Sequence, residues 1–135
     1  MSTSPPERGL LLDSHAFLWW ATDDSRLSVR ARDAIADAAV SVFLSVVTPW
    51  EITIKHGIGR LELTAPPRSL VYAQVARHGY QVLEVALDHV LAVGDLPRHH
   101  ADPFDRLLIA QARVERLTLV SGDGVFDRYD LSVLW

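Results

Sequence analysis

The chain has no cysteine at all. That excludes disulfides and thiolate metal sites, and it fits a cytoplasmic protein. Lysine is nearly missing too: Lys55 is the single one, arginine supplies the remaining positive charge, and the formal net charge is −4. A chain of that sign does not hold nucleic acid by bulk charge, so contact with a polyanion requires a local basic rim or a bound cation. No apolar run approaches the roughly 18 residues of a membrane span. The polar, proline-containing first residues carry no secretory apolar segment. Internal repeats and low-complexity tracts are missing as well.

What is present is a foldable core. Of 135 residues, 49% are hydrophobic, the size and composition of one ordinary domain. Residues 1–8 are expected to form a short flexible leader and residues 9–135 a single domain. Gly9-Leu10-Leu11-Leu12 reads as a strand buried on both faces. Asp13-Ser14 then caps a helix, Ser28 opens a second, and the β-branched stretch from Val40 to Val47 reads as the second strand. Thr48 is the expected N-cap of a third helix, with Pro49 at its first position and Glu51 completing a capping box. A fourth helix follows Pro66-Pro67 and stops at Gly79; Tyr80 to Val85 is the third strand, and Asp88 starts a short helix. Asp102 caps a helix from Pro103 to Arg116, Leu117 to Val120 is the fourth strand, and Leu131 to Leu134 a final edge strand. Strands alternating with helices indicate an α/β domain with a mainly parallel sheet.

Four carboxylates stand where that architecture focuses chemistry. Asp13 and Asp123 close apolar strands, and Glu51 and Asp105 follow Pro and an aromatic residue at helix starts. In open α/β sheets both kinds of position lie at the carboxyl edge of the strands, where ligands bind. Acids gathered there repel one another until protons or cations relieve them, and hard oxygen donors suit Mg²⁺ or Mn²⁺. Each acid also has a purely structural reading as a cap or turn residue. Asp105 is the least ambiguous, because Asp102 is the better cap of its helix. Lys55 and Arg60 near Glu51, and Arg98 and Arg106 near Asp105, are candidates for the basic rim that contact with a polyanion requires. His99-His100, and His15 near Asp13, read more simply as surface or packing residues, and the four tryptophans as core or interface.

The segments Leu10-Leu-Leu-Asp13-Ser-His-Ala-Phe-Leu-Trp-Trp, Trp50-Glu51-Ile, His100-Ala-Asp-Pro-Phe-Asp105-Arg-Leu-Leu-Ile-Ala-Gln-Ala and Ser121-Gly-Asp123 resemble those of PIN-domain proteins. The likeness is strongest to the VapC-type toxins of bacterial toxin–antitoxin systems. It covers the chain after Gly9, with the motifs in order. The resemblance implies a single three-layer α/β/α domain and a Mg²⁺- or Mn²⁺-dependent endoribonuclease, usually a homodimer silenced by a cognate VapB-type antitoxin. Carried over by position, Asp13, Glu51, Asp105 and Asp123 are the catalytic and metal-binding acids, with Asp102 either a further ligand or only a cap. Ser121 fits the hydroxyl residue common two places before the last acid, and Ser14 replaces a frequent threonine while keeping the hydroxyl. The chemistry implied is attack of metal-activated water on a phosphodiester.

Two rival readings use the same residues. A phosphoacceptor signalling domain also gathers acids at strand ends, but it wants a lysine at a strand end, and Lys55 falls within a helix. A non-catalytic interaction module would leave the acids as surface decoration and use Trp19, Trp20 and Trp135 as contacts.

Overall fold

In the computed structural model, which describes residues 8–135, the three leucines of β1 (Leu10–Leu12) divide between two cores. Successive strand side chains point to opposite faces. Leu10 and Leu12 therefore join Phe17, Leu44 and Val120 on one side, and Leu11 joins Phe43, Ile109 and Leu119 on the other. All these side chains are buried. The first core is closed by α1 (Ser14–Ala21) and α2 (Val29–Ala36), with α4 (Pro67–His78) packed against it through Leu70, Val71 and Val75. The second is closed by α6 (Pro103–Glu115), which packs on α5 (Leu87–Ala92). The result is the expected three-layer α/β/α arrangement.

Five strands make the sheet: β1, β2 (Val42–Ser45), β3 (Gln81–Leu83), β4 (Thr118–Val120) and β5 (Val133–Leu134), in the order β3-β2-β1-β4-β5. Every pairing is parallel. The strand order reverses between β1 and β4, so a crevice opens beyond their carboxyl ends. Asp13 directly follows β1, and Asp123 lies in the turn after β4.

Local chemistry accounts for most of the boundaries. Asp13 caps α1 by accepting from the Ala16 N–H at 2.7 Å, Ser28 caps α2 through the Ala31 N–H at 3.0 Å, and Asp102 caps α6 through the Asp105 N–H at 3.0 Å. Gly79 ends α4 in the left-handed region, at φ 66°, which glycine enters without strain.

Four expectations need correction. Helix α3 (Val47–Gly57) begins before Thr48, because the Ser45 hydroxyl accepts from the Val47 N–H at 3.0 Å and turns the chain into the helix early. Thr48 is consequently an interior residue, 1% exposed, and no capping box forms with Glu51. The third strand is shorter than Tyr80 to Val85, and α5 starts at Leu87 rather than Asp88. Residues 1–7 of the expected leader lie outside the described residues. Arg8, assigned to that leader, is instead anchored: its N–H donates to the Arg116 carbonyl at 2.9 Å and its guanidinium reaches Glu115 at 2.6 Å.

Candidate active site

The two strand-end acids and the two helix-borne acids line one cavity of about 190 Å³ at the switch point. Asp13 comes from the end of β1, Glu51 from the second turn of α3, Asp105 from the first turn of α6 and Asp123 from the turn after β4. Asp102 lines the same cavity, and Leu18, Ile52, Leu108 and Phe126 supply apolar walls. Residues up to 110 positions apart in sequence thus meet because each sits at the same edge of a parallel sheet.

The acids differ in how they are held. Asp13 is 7% exposed, caps α1, and also takes a hydrogen bond from the Ser121 hydroxyl. Ser121 is buried and accepts from the Asp123 N–H at 3.1 Å, so one hydroxyl ties both strand-end acids together. Asp123 is exposed and caps a short 3₁₀ turn by accepting from the Val125 N–H at 3.0 Å. Glu51, freed from capping, is buried and fully occupied: Ser14 Oγ donates to one oxygen at 2.6 Å and Lys55 Nζ to the other at 2.5 Å. The Ser14 and Lys55 contacts give both residues a definite place, steering Glu51 within the cavity.

Electrostatics expose the crowding. Burial raises the Asp13 carboxyl above its ordinary range, partly offset by the Ser121 and Ala16 hydrogen bonds. Asp105 is pushed up to about 7, first by burial and then by the negative charges of Asp102, Glu51, Asp123 and Asp13. Lys55 is raised, chiefly by its hydrogen bond to Glu51 and then by the fields of Glu51, Asp102 and Asp105. At neutral pH Asp105 is near half-protonated, the behaviour of a carboxyl in a cluster short of positive charge.

A divalent cation fits this site by the chemistry of its donors, which are carboxylate oxygens with the Ser14 and Thr48 hydroxyls and no sulfur. As the side chains stand, no three acids or imidazoles among the described residues converge on one point as a preformed cage. Glu51 is drawn aside by Ser14 and Lys55, and Asp13 and Asp123 each keep one oxygen on a backbone N–H.

Other candidates fall elsewhere. Arg106, expected at an RNA-facing rim, turns its guanidinium onto the chain: it donates to the carbonyls of Pro97 at 2.8 Å, Val93 at 3.3 Å and Leu96 at 3.4 Å. It locks the loop before α6, because a planar five-donor fork satisfies several loop carbonyls at once. Arg60 is exposed in the turn after α3, outside the cavity lining. His100, read from sequence as surface, is a neighbour of the site. Its Nδ1 meets the Tyr129 hydroxyl at 2.6 Å, and its Nε2 lies 3.4 Å from Asp105 Oδ2 without hydrogen-bond geometry. Only its position five residues before Asp105 hinted at this. The Thr48 hydroxyl, buried at the cavity wall, also has no partner.

Comparison with known proteins converges on one family. A family model described as PIN domain matches residues 10–131. Ribonuclease VapC22 of Mycobacterium tuberculosis is 32% identical over 117 residues, which cover 84% of this chain and 86% of that protein. Among solved structures, VapBC2 of Rickettsia felis, bound to a DNA fragment from its promoter, superposes with a TM-score of 0.69 at 14% identity. The match covers 93% of this chain and 96% of that one. VapBC-5 of Mycobacterium tuberculosis, a member of the VapBC family of toxin–antitoxin systems, matches with a TM-score of 0.59 at 20% identity, over 96% and 97% of the two chains. At those identities the structural likeness speaks for the fold.

Proposed function

The chain belongs to the PIN-domain family, and from that premise we propose that it is a VapC-type toxin, an endoribonuclease that depends on Mg²⁺ or Mn²⁺. The observation that carries the reading is the shared cavity of Asp13, Glu51, Asp102, Asp105 and Asp123, with Asp105 raised to about 7 by burial and then by its acidic neighbours.

Asp13, Asp105 and Asp123 would hold the cation, with Glu51 in support and Asp102 serving chiefly as the α6 cap. Bound there, a cation would supply positive charge to a phosphodiester oxygen and would acidify water. The protein's own groups do the rest. Ser121 orients Asp13, and Ser14 and Lys55 hold the two oxygens of Glu51 at the cavity wall. Lys55 leaves the pocket less negative and helps admit a phosphate. Asp105, raised by burial and its acidic neighbours, would release its proton more readily beside a bound cation and so offer its carboxylate as a ligand. The phosphoacceptor alternative is disfavoured by Lys55, which is paired with Glu51 inside α3 and stands at no strand end.

The test is direct. Purified protein, free of any partner, should cut RNA in Mg²⁺ or Mn²⁺ and stop in excess chelator. Cleavage that persists under chelation, or no cleavage of total cellular RNA in either metal, would sink the reading.

A VapB-type antitoxin is the expected partner, as in the toxin–antitoxin systems of the solved relatives. An apolar groove between α3 and α4, lined by Pro49, Pro66, Pro67, Val71 and Tyr72, supports the idea, as do the exposed Trp50, Ile54 and Ile58 along α3 and its end. Ile58 and Tyr72 are 62% and 69% exposed, so they do little for the core. Ile58→Asp and Tyr72→Asp should each weaken neutralisation by the antitoxin about ten-fold or more while cleavage by the free protein continues. Titrating antitoxin against RNase activity measures both. A homodimer is supported by a second exposed apolar strip, Leu87, Val90 and Leu91 on α5 with Val114 on α6.

A further inference from the structure

A second cavity, of about 280 Å³, opens beside the two strand-end acids. It shares Asp13, His15 and Asp123 with the first and is otherwise walled by Trp19, Arg26, Gly122 and Trp135, so aromatic and basic groups stand beside its two acids. The His15 and Trp19 rings stack, with centroids 5.1 Å apart and planes 16° from parallel. Trp135 meets Trp19 at 5.8 Å and 57°, and the Arg26 guanidinium lies 4.8 Å over the Trp19 ring. His15 and Arg26 are exposed, and the two indoles are half-buried.

Two features fix this cluster relative to the acids. A Cβ added at Gly122 would lie 2.6 Å from the Trp135 ring, so the indole rests against the backbone that carries Asp123. Arg26 is set by a fork onto Asp24, with Nε 3.1 Å from Oδ1 and Nη2 2.8 Å from Oδ2. That fork leaves Nη1 for an acceptor on a ligand.

The acidic chain has a substrate problem that this cavity answers. Phosphates meet only Lys55 and any bound cation as counter-charge among the carboxylates, so affinity gains from a part of RNA that carries no charge. Bases provide it: stacking on aromatic rings is indifferent to the sign of the protein's charge. We propose that the cavity of His15, Trp19, Arg26 and Trp135 is a nucleobase subsite, holding the base of a nucleotide next to the scissile phosphate. Arg26 faces the base edge or ribose, and the rings take the base plane. The assignment rests on the ribonuclease reading for the place of the scissile phosphate, while base binding itself is independent of it.

The full-length Asp105→Asn protein separates binding from cleavage. Fluorescence anisotropy would follow its binding to labelled eight-nucleotide single-stranded RNA, and to the same RNA with one abasic ribose moved along the strand. One abasic position is expected to weaken binding roughly ten-fold or more. Adding Arg26→Ala or Trp135→Ala should weaken binding of the intact RNA comparably and flatten the abasic profile, while Trp135→Phe, which keeps a ring against Gly122, should restore most of both. An abasic profile that is flat in the Asp105→Asn protein, or left unchanged by Arg26→Ala and by Trp135→Ala, overturns the subsite. Failure of the wild type to cut RNA would remove the ribonuclease reading alone, and the anisotropy result would still decide the subsite.

Discussion

Asparagine at position 105 is expected to lower RNA cleavage by about a thousandfold or more and, at pH 8, to raise the melting temperature. The two effects share one cause. Asp105 is partly buried within the field of four other carboxylates, and burial first and their charges second push it up to about 7. Its folded state therefore holds a proton that the unfolded chain, with an ordinary value near 3.8, releases earlier. The stabilising contribution of a raised acid is complete below pH 4, declines between about pH 4 and 7, and is gone above. A shift of that size corresponds to at most about 4 kcal/mol, and roughly half of that once screening of a carboxyl that is 24% exposed is allowed for. Asp105→Asn removes the charge without changing shape. It should raise the melting temperature by roughly 5–8 °C at pH 8, with the gain fading as pH falls toward 4. Added Mg²⁺ should stabilise the wild type and have little effect on the variant. Thermal melts at pH 4.5 and pH 8, run beside RNA cleavage, decide it. Wild-type activity in the variant, or a melting point lowered at pH 8, would break the link between the acid cluster and function.

Truncating Gln111 should cost about 3–4 kcal/mol, a fall of roughly 10–14 °C for a domain of this size. Gln111 is fully buried in the middle of α6. Its carbonyl accepts from the Ser45 hydroxyl, and its amide donates to the Glu84 carbonyl at 3.2 Å and lies 3.3 Å from His89 Nδ1. His89 Nδ1 accepts from the Ala86 N–H at 2.9 Å, which leaves the ring proton on Nε2, 2.8 Å from Glu115. Glu115 in turn holds Arg8. One buried amide thus joins β2, the segment after β3, α5 and α6. Gln111→Ala leaves a void and several polar groups without partners. Chemical denaturation measures the loss. A change below about 1 kcal/mol would show that water or repacking substitutes for the amide.

Much of this was legible in the sequence wherever a local signal sufficed. Three leucines before Asp13, the Asp102-Pro103 start of α6 and the Gly79 stop mark their elements through burial pattern, capping and backbone freedom. The convergence of Asp13 and Asp123 followed from strand ends in a parallel sheet. What was missed depends on partners far away or on competition between neighbours. The Thr48 to Glu51 stretch has every feature of a capping box, yet Ser45 reaches the Val47 N–H first and places Thr48 inside the helix. Arg106 resembles a rim cation until the loop carbonyls that it serves are folded against it. Arg26 and Trp135 bear no sequence relation to each other, and only the fold sets both against Trp19.

The crowding of carboxylates also bears on how such a gene decays. Asp and Asn codons differ by a single base, so one transition silences position 105. If the charge it carries weakens the fold, the silenced copy is sturdier than the working one and escapes the usual fate of mutant chains, which is to unfold and be degraded. It keeps α3, α4 and α5 intact, with the apolar surfaces that they expose. A dead copy of this kind would still compete for whatever binds the live one. Loss of activity here would leave behind a decoy, where in most enzymes it leaves debris.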